Sequence, residues 1–144
     1  MRMQKNCGGF YNDFVLELRN EEKKGFIKQH EITPEEHLEF MSKYQEEYSI
    51  CLDNGTPVGW IGIVKNDIRL AVSGEHQGKG IGAFMLNDLV KKNALILDEL
   101  NVIIKTENVG SFKLFKKCGF KVVSQENLLN GEEKIPCYFM KYGE

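Results

Sequence analysis

The chain has 144 residues, with 19 basic and 21 acidic side chains and a net charge of −2, the size of one compact domain with one core. Its charges are spread along the chain, so no nucleic-acid or anionic-membrane footprint is visible, and no apolar run reaches the roughly 20 residues that span a bilayer. Cys7, Cys51, Cys118 and Cys137 form no C-x-x-C pair and have no histidine at metal-ligand spacing, which reads as four reduced thiols, no metal and, with no apolar signal core in Met1 to Phe10, a cytoplasmic protein.

Phe14 to Leu18 is a short apolar run that ends in Arg19-Asn20 and a cluster of mixed charge, the pattern of a first strand leaving into a helix. Thr33-Pro34-Glu35-Glu36 predicts a helix start. Threonine stands at the N-cap, proline at the first helical position where its missing N–H matters least, and Glu36 can close a capping box. Leu38, Met41 and Tyr44 follow at helical spacing. Tyr48 to Leu52 and Pro57 to Val64, joined by Asp53-Asn54-Gly55, read as a hairpin. Lys65-Asn66-Asp67 turns the chain into a strand from Ile68 to Val72, and an amphipathic helix from Ile81 to Leu97 opens inside a glycine-rich loop. Val102 to Ile104 is a buried strand. Ser111 to Cys118 is a helix with Phe112 and Phe115 inward and Gly119 closing it. Phe120 to Val123 and Ile135 to Tyr142 are two last strands around a polar loop, Glu126 to Lys134, with Pro136 near a strand start or on an edge. The order β-α-α-β-β-β-α-β-α-β-β is that of a mixed α/β (α+β) sheet with helices packed on it.

The segment from Val72 to Ala83 joins a strand to the start of the long helix, with Gly78, Gly80 and Gly82 at alternate positions. Uncovered N–H groups at a helix start, with the positive end of the helix dipole, favour a phosphate, and glycine permits its close approach. A Walker A loop would need four residues before Gly-Lys and then serine or threonine. Here three separate Gly74 from Gly78, and Gly80 follows Lys79. A dinucleotide fingerprint needs G-x-G-x-x-G, whereas these glycines run G-x-G-x-G.

Gln77-Gly78-Lys79-Gly80-Ile81-Gly82 resembles the Q/R-x-x-G-x-G/A pyrophosphate loop of the GNAT superfamily of N-acetyltransferases. Asn108 to Phe120 is similar to that family's later motif, in which an asparagine opens a helix ending in Gly-Phe. The resemblance covers nearly the whole chain. It implies a central mixed, mostly antiparallel twisted sheet with helices on both faces, splayed between the fourth and fifth strands, and acetyl-CoA (coenzyme A) as cofactor. Leu70, Ala71 and Val72 would then pair their backbone with the pantetheine arm. Gln77 to Gly82 with Ala83 would hold the pyrophosphate, and Asn108, Ser111 and Phe115 would line the channel. A valine at Gly80 would crowd the pyrophosphate, leaving the fold intact if that residue has a negative φ.

The resemblance also implies a tyrosine where Phe115 stands and a carboxylate near Asn66, and a phenyl ring and an amide can do neither job. Either the coenzyme thiolate leaves unassisted, or Tyr138 or a water supplies its proton, or activity is weak or redirected; Asp67 is the candidate base. Arg19-Asn20 and Thr33 to His37 are similar to the openings of acetyltransferases of ribosomal-protein N-termini and of amino-sugar nucleotides. Arg19, Asn20, His37 and Trp60 are thereby candidates for acceptor binding, with Arg19 on phosphate and Trp60 on a base. Capping alone explains Thr33, Pro34 and Glu36, and a core position alone explains Trp60. His30 and His37 have a base's intrinsic pKa and are also ordinary helix residues. The expected reaction is acetyl transfer to a small-molecule amine by a monomer or homodimer. The alternatives are N-terminal acetylation of proteins and a non-catalytic acyl-CoA-binding module.

Overall fold

The computed structural model describes residues 1–21 and 32–143; His30 lies outside them. A seven-stranded sheet runs in the order β1-β2-β3-β4-β5-β7-β6. Its strands are β1 (Arg2–Lys5), β2 (Tyr48–Asp53), β3 (Thr56–Val64), β4 (Asp67–Val72), β5 (Asn101–Lys105), β6 (Phe120–Asn130) and β7 (Glu133–Tyr142). The helices are α1 (Asn12–Glu21), α2 (Pro34–Tyr44), α3 (Ile81–Lys92) and α4 (Val109–Lys117). Every neighbouring pair is antiparallel except β4 and β5, which run parallel and share one register pair, Asp67 with Asn101. The mixed sheet and its splay between the fourth and fifth strands are as expected.

The sheet alternates its side chains between two cores. On one face Ile61, Ile68, Val102 and Ile104 meet Ile81, Met85, Leu86 and Leu89 of α3 and Phe115 of α4. On the other, Tyr48, Ile50, Trp60, Val64 and Ala71 meet Val15 and Leu18 of α1 and Met41 of α2. Cys7, Cys51, Cys118 and Cys137 are free thiols on separate elements. No helix among the described residues is long and apolar enough to cross a membrane.

The structure differs from the sequence reading in five places. Phe14 to Leu18 is helix, because Tyr11, Phe14, Val15 and Leu18 recur at helical spacing and fill the second core. The first strand is instead Arg2–Lys5, an edge strand paired through its backbone to β2. On α2 the buried residues are His37 and Met41, while Leu38 is exposed. Helix α3 stops at Lys92 and not at Leu97, because the Asn93 amide donates to the Leu89 carbonyl at 2.8 Å and turns the chain. The polar stretch Glu126 to Lys134 is mostly strand: β6 and β7 pair from Phe120↔Tyr142 to Asn130↔Glu133 around Gly131, whose φ is +66°. Pro136 is tolerated because its carbonyl takes the Thr106 N–H at 3.0 Å just past the end of β5, where no partner needs the N–H that proline lacks.

The other turns follow the sequence. Thr33 Oγ1 accepts the Glu36 N–H at 3.2 Å and Glu36 Oε1 accepts the Thr33 N–H at 3.3 Å, which is the capping box. Asn54-Gly55 and Lys65-Asn66 form two-residue turns with positive φ at both positions. Gly62 serves a different need. A Cβ there would lie 2.9 Å from the Tyr48 ring, and that fully buried ring stands 5.2 Å from Trp60. Gly62→Ala should therefore lower stability by about 1–3 kcal/mol through overpacking, measured as a lower denaturant midpoint at unchanged m-value.

Candidate active site

Beyond Asp67 and Asn101 the two parallel strands part, and the gap opens into a cavity of about 420 Å³. Its wall combines Asp67, Arg69 and Leu70 of β4 and Val102 to Ile104 of β5 with Arg19, Phe40 and Trp60 from one face of the sheet and Phe115 from the other. A second cavity of about 280 Å³ lies along Leu70 to Val72, the glycine loop and the start of α4. Leu70, Asn108 and Ser111 line both. The split thus forms a passage from the α1–α2 face of the sheet to the glycine loop.

The three glycines of the loop have separate reasons. Gly78 and Gly80 take φ of +79° and +80°, a left-handed conformation that strains other residues, and a Cβ at either would meet open space. Gly82 sits inside α3, where a Cβ would lie 3.0 Å from Leu114 of α4. The positive φ at Gly80 corrects the expectation for valine there, since that substitution would strain the backbone as well as crowd a ligand. Helix α3 starts at Gly80 with no side-chain cap, whereas Thr33 and Asn108 cap α2 and α4. The first N–H of α3 taken by a backbone oxygen is that of Phe84, by Gly80 at 3.0 Å. Gln77 donates to the Val72 carbonyl at 3.4 Å and bends the loop back on β4. His76, missed in the sequence, lines this cavity with a buried Nδ1 that has no partner among the described residues.

Other predicted residues are placed unevenly along the passage. Ile81 is a core residue at the cavity edge, and Lys79 and Ala83 lie outside both linings. Asn108 is both cap and lining: its Oδ1 accepts the Ser111 N–H at 3.2 Å. Phe115 is buried edge-on against Phe120 at 5.1 Å, a wall of the larger cavity. Tyr138 stacks on Phe112 at 4.7 Å and lines neither cavity. Asn66, with φ of +68°, is a turn residue whose carbonyl accepts the Asn101 N–H at 2.9 Å. Asp67 accepts from the Asn101 amide at 2.8 Å and is the one carboxylate among the described lining residues of either cavity.

The α1–α2 end is built from side chains. Asn20 accepts the Ile32 N–H at 2.8 Å and donates to the Ile32 carbonyl at 3.2 Å, a clasp that sets Ile32 in the cavity wall while Asn20 itself stays out of it. His37 is buried between α1 and α2. Its Nε2–H donates to the Asn12 carbonyl at 2.7 Å, so its Nδ1 accepts from Arg19 Nη1 at 3.1 Å. Burial lowers the His37 pKa and Arg19 lowers it further, against the Asn12 hydrogen bond, so the ring is neutral. Arg19 lies 4.4 Å above the Phe40 ring and Arg69 lies 5.8 Å from it. Burial likewise lowers the Arg19 pKa, with Tyr48 opposing and Arg69 adding to the effect. Trp60 is fully buried and forms the floor of the cavity. Phe40 and Arg69 were not legible as site residues: one sits on a helix and the other on a strand, and only the fold brings them together.

The sequence model of the acetyltransferase (GNAT) family matches residues 13–120. No curated protein matches the chain. Several solved structures share its fold. The spermidine N-acetyltransferase from Vibrio cholerae, in complex with CoA and spermine, has a TM-score of 0.76 at 17% identity, over 96% of this chain and 93% of that one. A phosphinothricin acetyltransferase from Sinorhizobium meliloti, in complex with AcCoA, has a TM-score of 0.75 at 18% identity over 96% and 85%. A ribosomal-protein-alanine N-acetyltransferase from Brucella melitensis reaches 0.80 at 13% identity over 97% and 98%.

The neutral His37 has a consequence for stability. Its folded pKa lies below the ordinary value of 6.5, so between the two values the unfolded chain binds more protons and stability rises with pH. The contribution is complete above the unfolded value and is lost as pH falls through the folded one. The melting temperature should therefore drop as pH falls below the ordinary histidine value of 6.5, and the drop should be shallower in His37→Gln, which cannot titrate.

Proposed function

Because the chain belongs to the acetyltransferase (GNAT) family, we propose that it moves the acetyl group of acetyl-CoA directly onto the primary amine of a small molecule held at the α1–α2 end of the split sheet. The observation that carries this reading is the passage itself: one opening lies against an uncapped helix start, the other against a cavity with a single carboxylate among its described lining residues. The donor side fits the coenzyme on its own geometry. The space a Cβ would fill at Gly78, Gly80 and Gly110 is open, and the free N–H groups of the first turn of α3 favour phosphate there. The buried His76 Nδ1 adds an unmatched polar atom to the same wall. Leu70 to Val72 can offer their backbone to the pantetheine amides along the side of β4 that β5 leaves unpaired.

When bound, acetyl-CoA supplies a thioester, whose carbon–sulfur bond breaks as the amine nitrogen bonds to the acetyl carbon. The protein has to deliver a neutral amine and receive its proton. Asp67 serves as the base, held in place by the Asn101 amide at 2.8 Å with its other oxygen available. Asn108 donates its amide N–H to the acyl arm, its carbonyl oxygen being used by the helix cap. The departing sulfur meets Ser111, the one hydroxyl among the described residues lining both cavities, while Phe115 keeps water off the reacting atoms.

Acetyl-CoA mixed with a panel of amines should release free thiol, detected with a thiol reagent, together with the N-acetylated amine. Activity on N-terminal peptides alone would move the acceptor to proteins, and no release with any amine would overturn the proposal. Asp67→Asn, which can still accept from Asn101, should lower kcat by about 10²–10⁴-fold while the melting temperature is kept. Gly110→Ala adds a methyl to the donor cavity at a residue with ordinary helical φ. It should raise the KM for acetyl-CoA and leave that for the amine unchanged.

A further inference from the structure

Among its described lining residues the acceptor cavity carries two guanidinium groups and one carboxylate. Arg19 and Arg69 come from α1 and β4, which are distant in sequence, and both stand against the ring of Phe40, at 4.4 and 5.8 Å. No carboxylate among the described residues forms an ion pair with either, and Glu36, which acts on Arg19 from beyond ion-pair distance, is its weakest influence after burial, Tyr48 and Arg69. The pair Lys92–Asp88 is on the far helix, and Asp67 is engaged by Asn101. Stacking on Phe40 satisfies the face of a guanidinium and none of its in-plane N–H donors, of which each arginine has five. Among the described residues His37 Nδ1 is the one acceptor on Arg19, and it is a neutral nitrogen. It fixes the direction of the group without cancelling its charge. The fully buried Tyr48 hydroxyl lies in the field of both arginines and likewise brings no negative charge.

Two like charges kept together at the wall of a cavity, oriented by a neutral partner, are matched by an anion that arrives from outside. We propose that the acceptor amine carries a carboxylate or phosphate, and that Arg69 and Arg19 bind this group while the amine lies beside Asp67. The inference rests on the transfer reading above and names its substrate class. Guanidinium groups suit such oxyanions because their N–H donors match the spacing of two oxygens. Asp67 and Arg69 are two residues apart on one strand, hence on the same face and roughly 6–7 Å from each other along it. The amine and the anion are therefore separated by only a few bonds, as in an amino acid, a phosphorylated amino alcohol or an amino-sugar phosphate. A polyamine would place further positive charge against the two arginines and is disfavoured.

The test uses matched amines that differ in charge: amino acids with their amides, ethanolamine with its phosphate, glucosamine with its 6-phosphate, and spermidine. Thiol release gives kcat/KM for each, and the two anion classes separate carboxylate from phosphate. The anionic member of at least one pair should be preferred about tenfold or more. Arg69→Met should raise its KM by about 10–100-fold with the neutral partner's KM nearly unchanged, and Arg69→Lys should restore part of the preference. Preference of the native protein for neutral amines or spermidine would overturn the proposal, as would a preference for anions that Arg69→Met leaves intact. If no amine releases thiol, calorimetric binding of the same pairs in the presence of CoA decides. Anion-selective binding that depends on Arg69 would sustain this inference while sinking the transfer reading, and binding indifferent to charge would sink both.

Discussion

A single register pair between parallel strands, Asp67 with Asn101, organises the candidate active site. It is fastened twice, since the Asn101 N–H donates to the Asn66 carbonyl at 2.9 Å and its side-chain amide to Asp67 at 2.8 Å. Past that point β4 has no strand on one side, and its N–H and C=O groups need another partner. An extended ligand with amide groups is a natural one. Antiparallel pairing on both outer flanks, β3 with β4 and β5 with β7, keeps the halves rigid, so the split stays open instead of closing into a continuous sheet.

The same fastening places the chemistry. Because side chains alternate along β4, Asp67 and Arg69 face α1 and α2, while Ile68, Leu70 and Val72 face α3 and α4. One strand therefore offers a carboxylate and a cation to one side and an apolar track to the other, with its backbone between them. In the proposed reaction the acyl donor and the amine would approach from opposite faces and meet in the plane of the sheet. Neither has to cross the core.

How much of this was legible depended on whether a feature was local. Glycine spacing at Gly78, Gly80 and Gly82, the Thr33 to Glu36 capping box and the Asn54-Gly55 turn are short-range devices whose residues are neighbours in sequence, and they could be read directly. Phe14 to Leu18 could not, because four apolar residues in five positions suit either period until Tyr11 is counted with them. Arg2–Lys5 carried no signal because an edge strand is held by backbone bonds that any residue supplies. The hairpin from Glu126 to Lys134 was hidden for a related reason: it extends past the helices, so both of its faces are largely polar. At the site, Asn108 is both cap and channel residue: its Oδ1 takes the Ser111 N–H while the residue lines both cavities.

The contrast between the two ends of the passage explains why the donor was readable and the acceptor was not. The proposed coenzyme end is a backbone site, and a backbone site leaves a sequence signature only through the glycines that uncover it. The proposed acceptor end is a side-chain site assembled from α1, α2, β3 and β4, where Arg19 owes its direction to His37 and His37 owes its tautomer to the Asn12 carbonyl at the start of α1. A carboxylate in place of His37 would hold Arg19 more tightly, and it would also neutralise the charge and compete with any anion brought by the substrate. A neutral imidazole orients the guanidinium and leaves its charge to be used. Such an arrangement depends on protonation state and on contacts across the fold, and neither can be read from the order of residues alone.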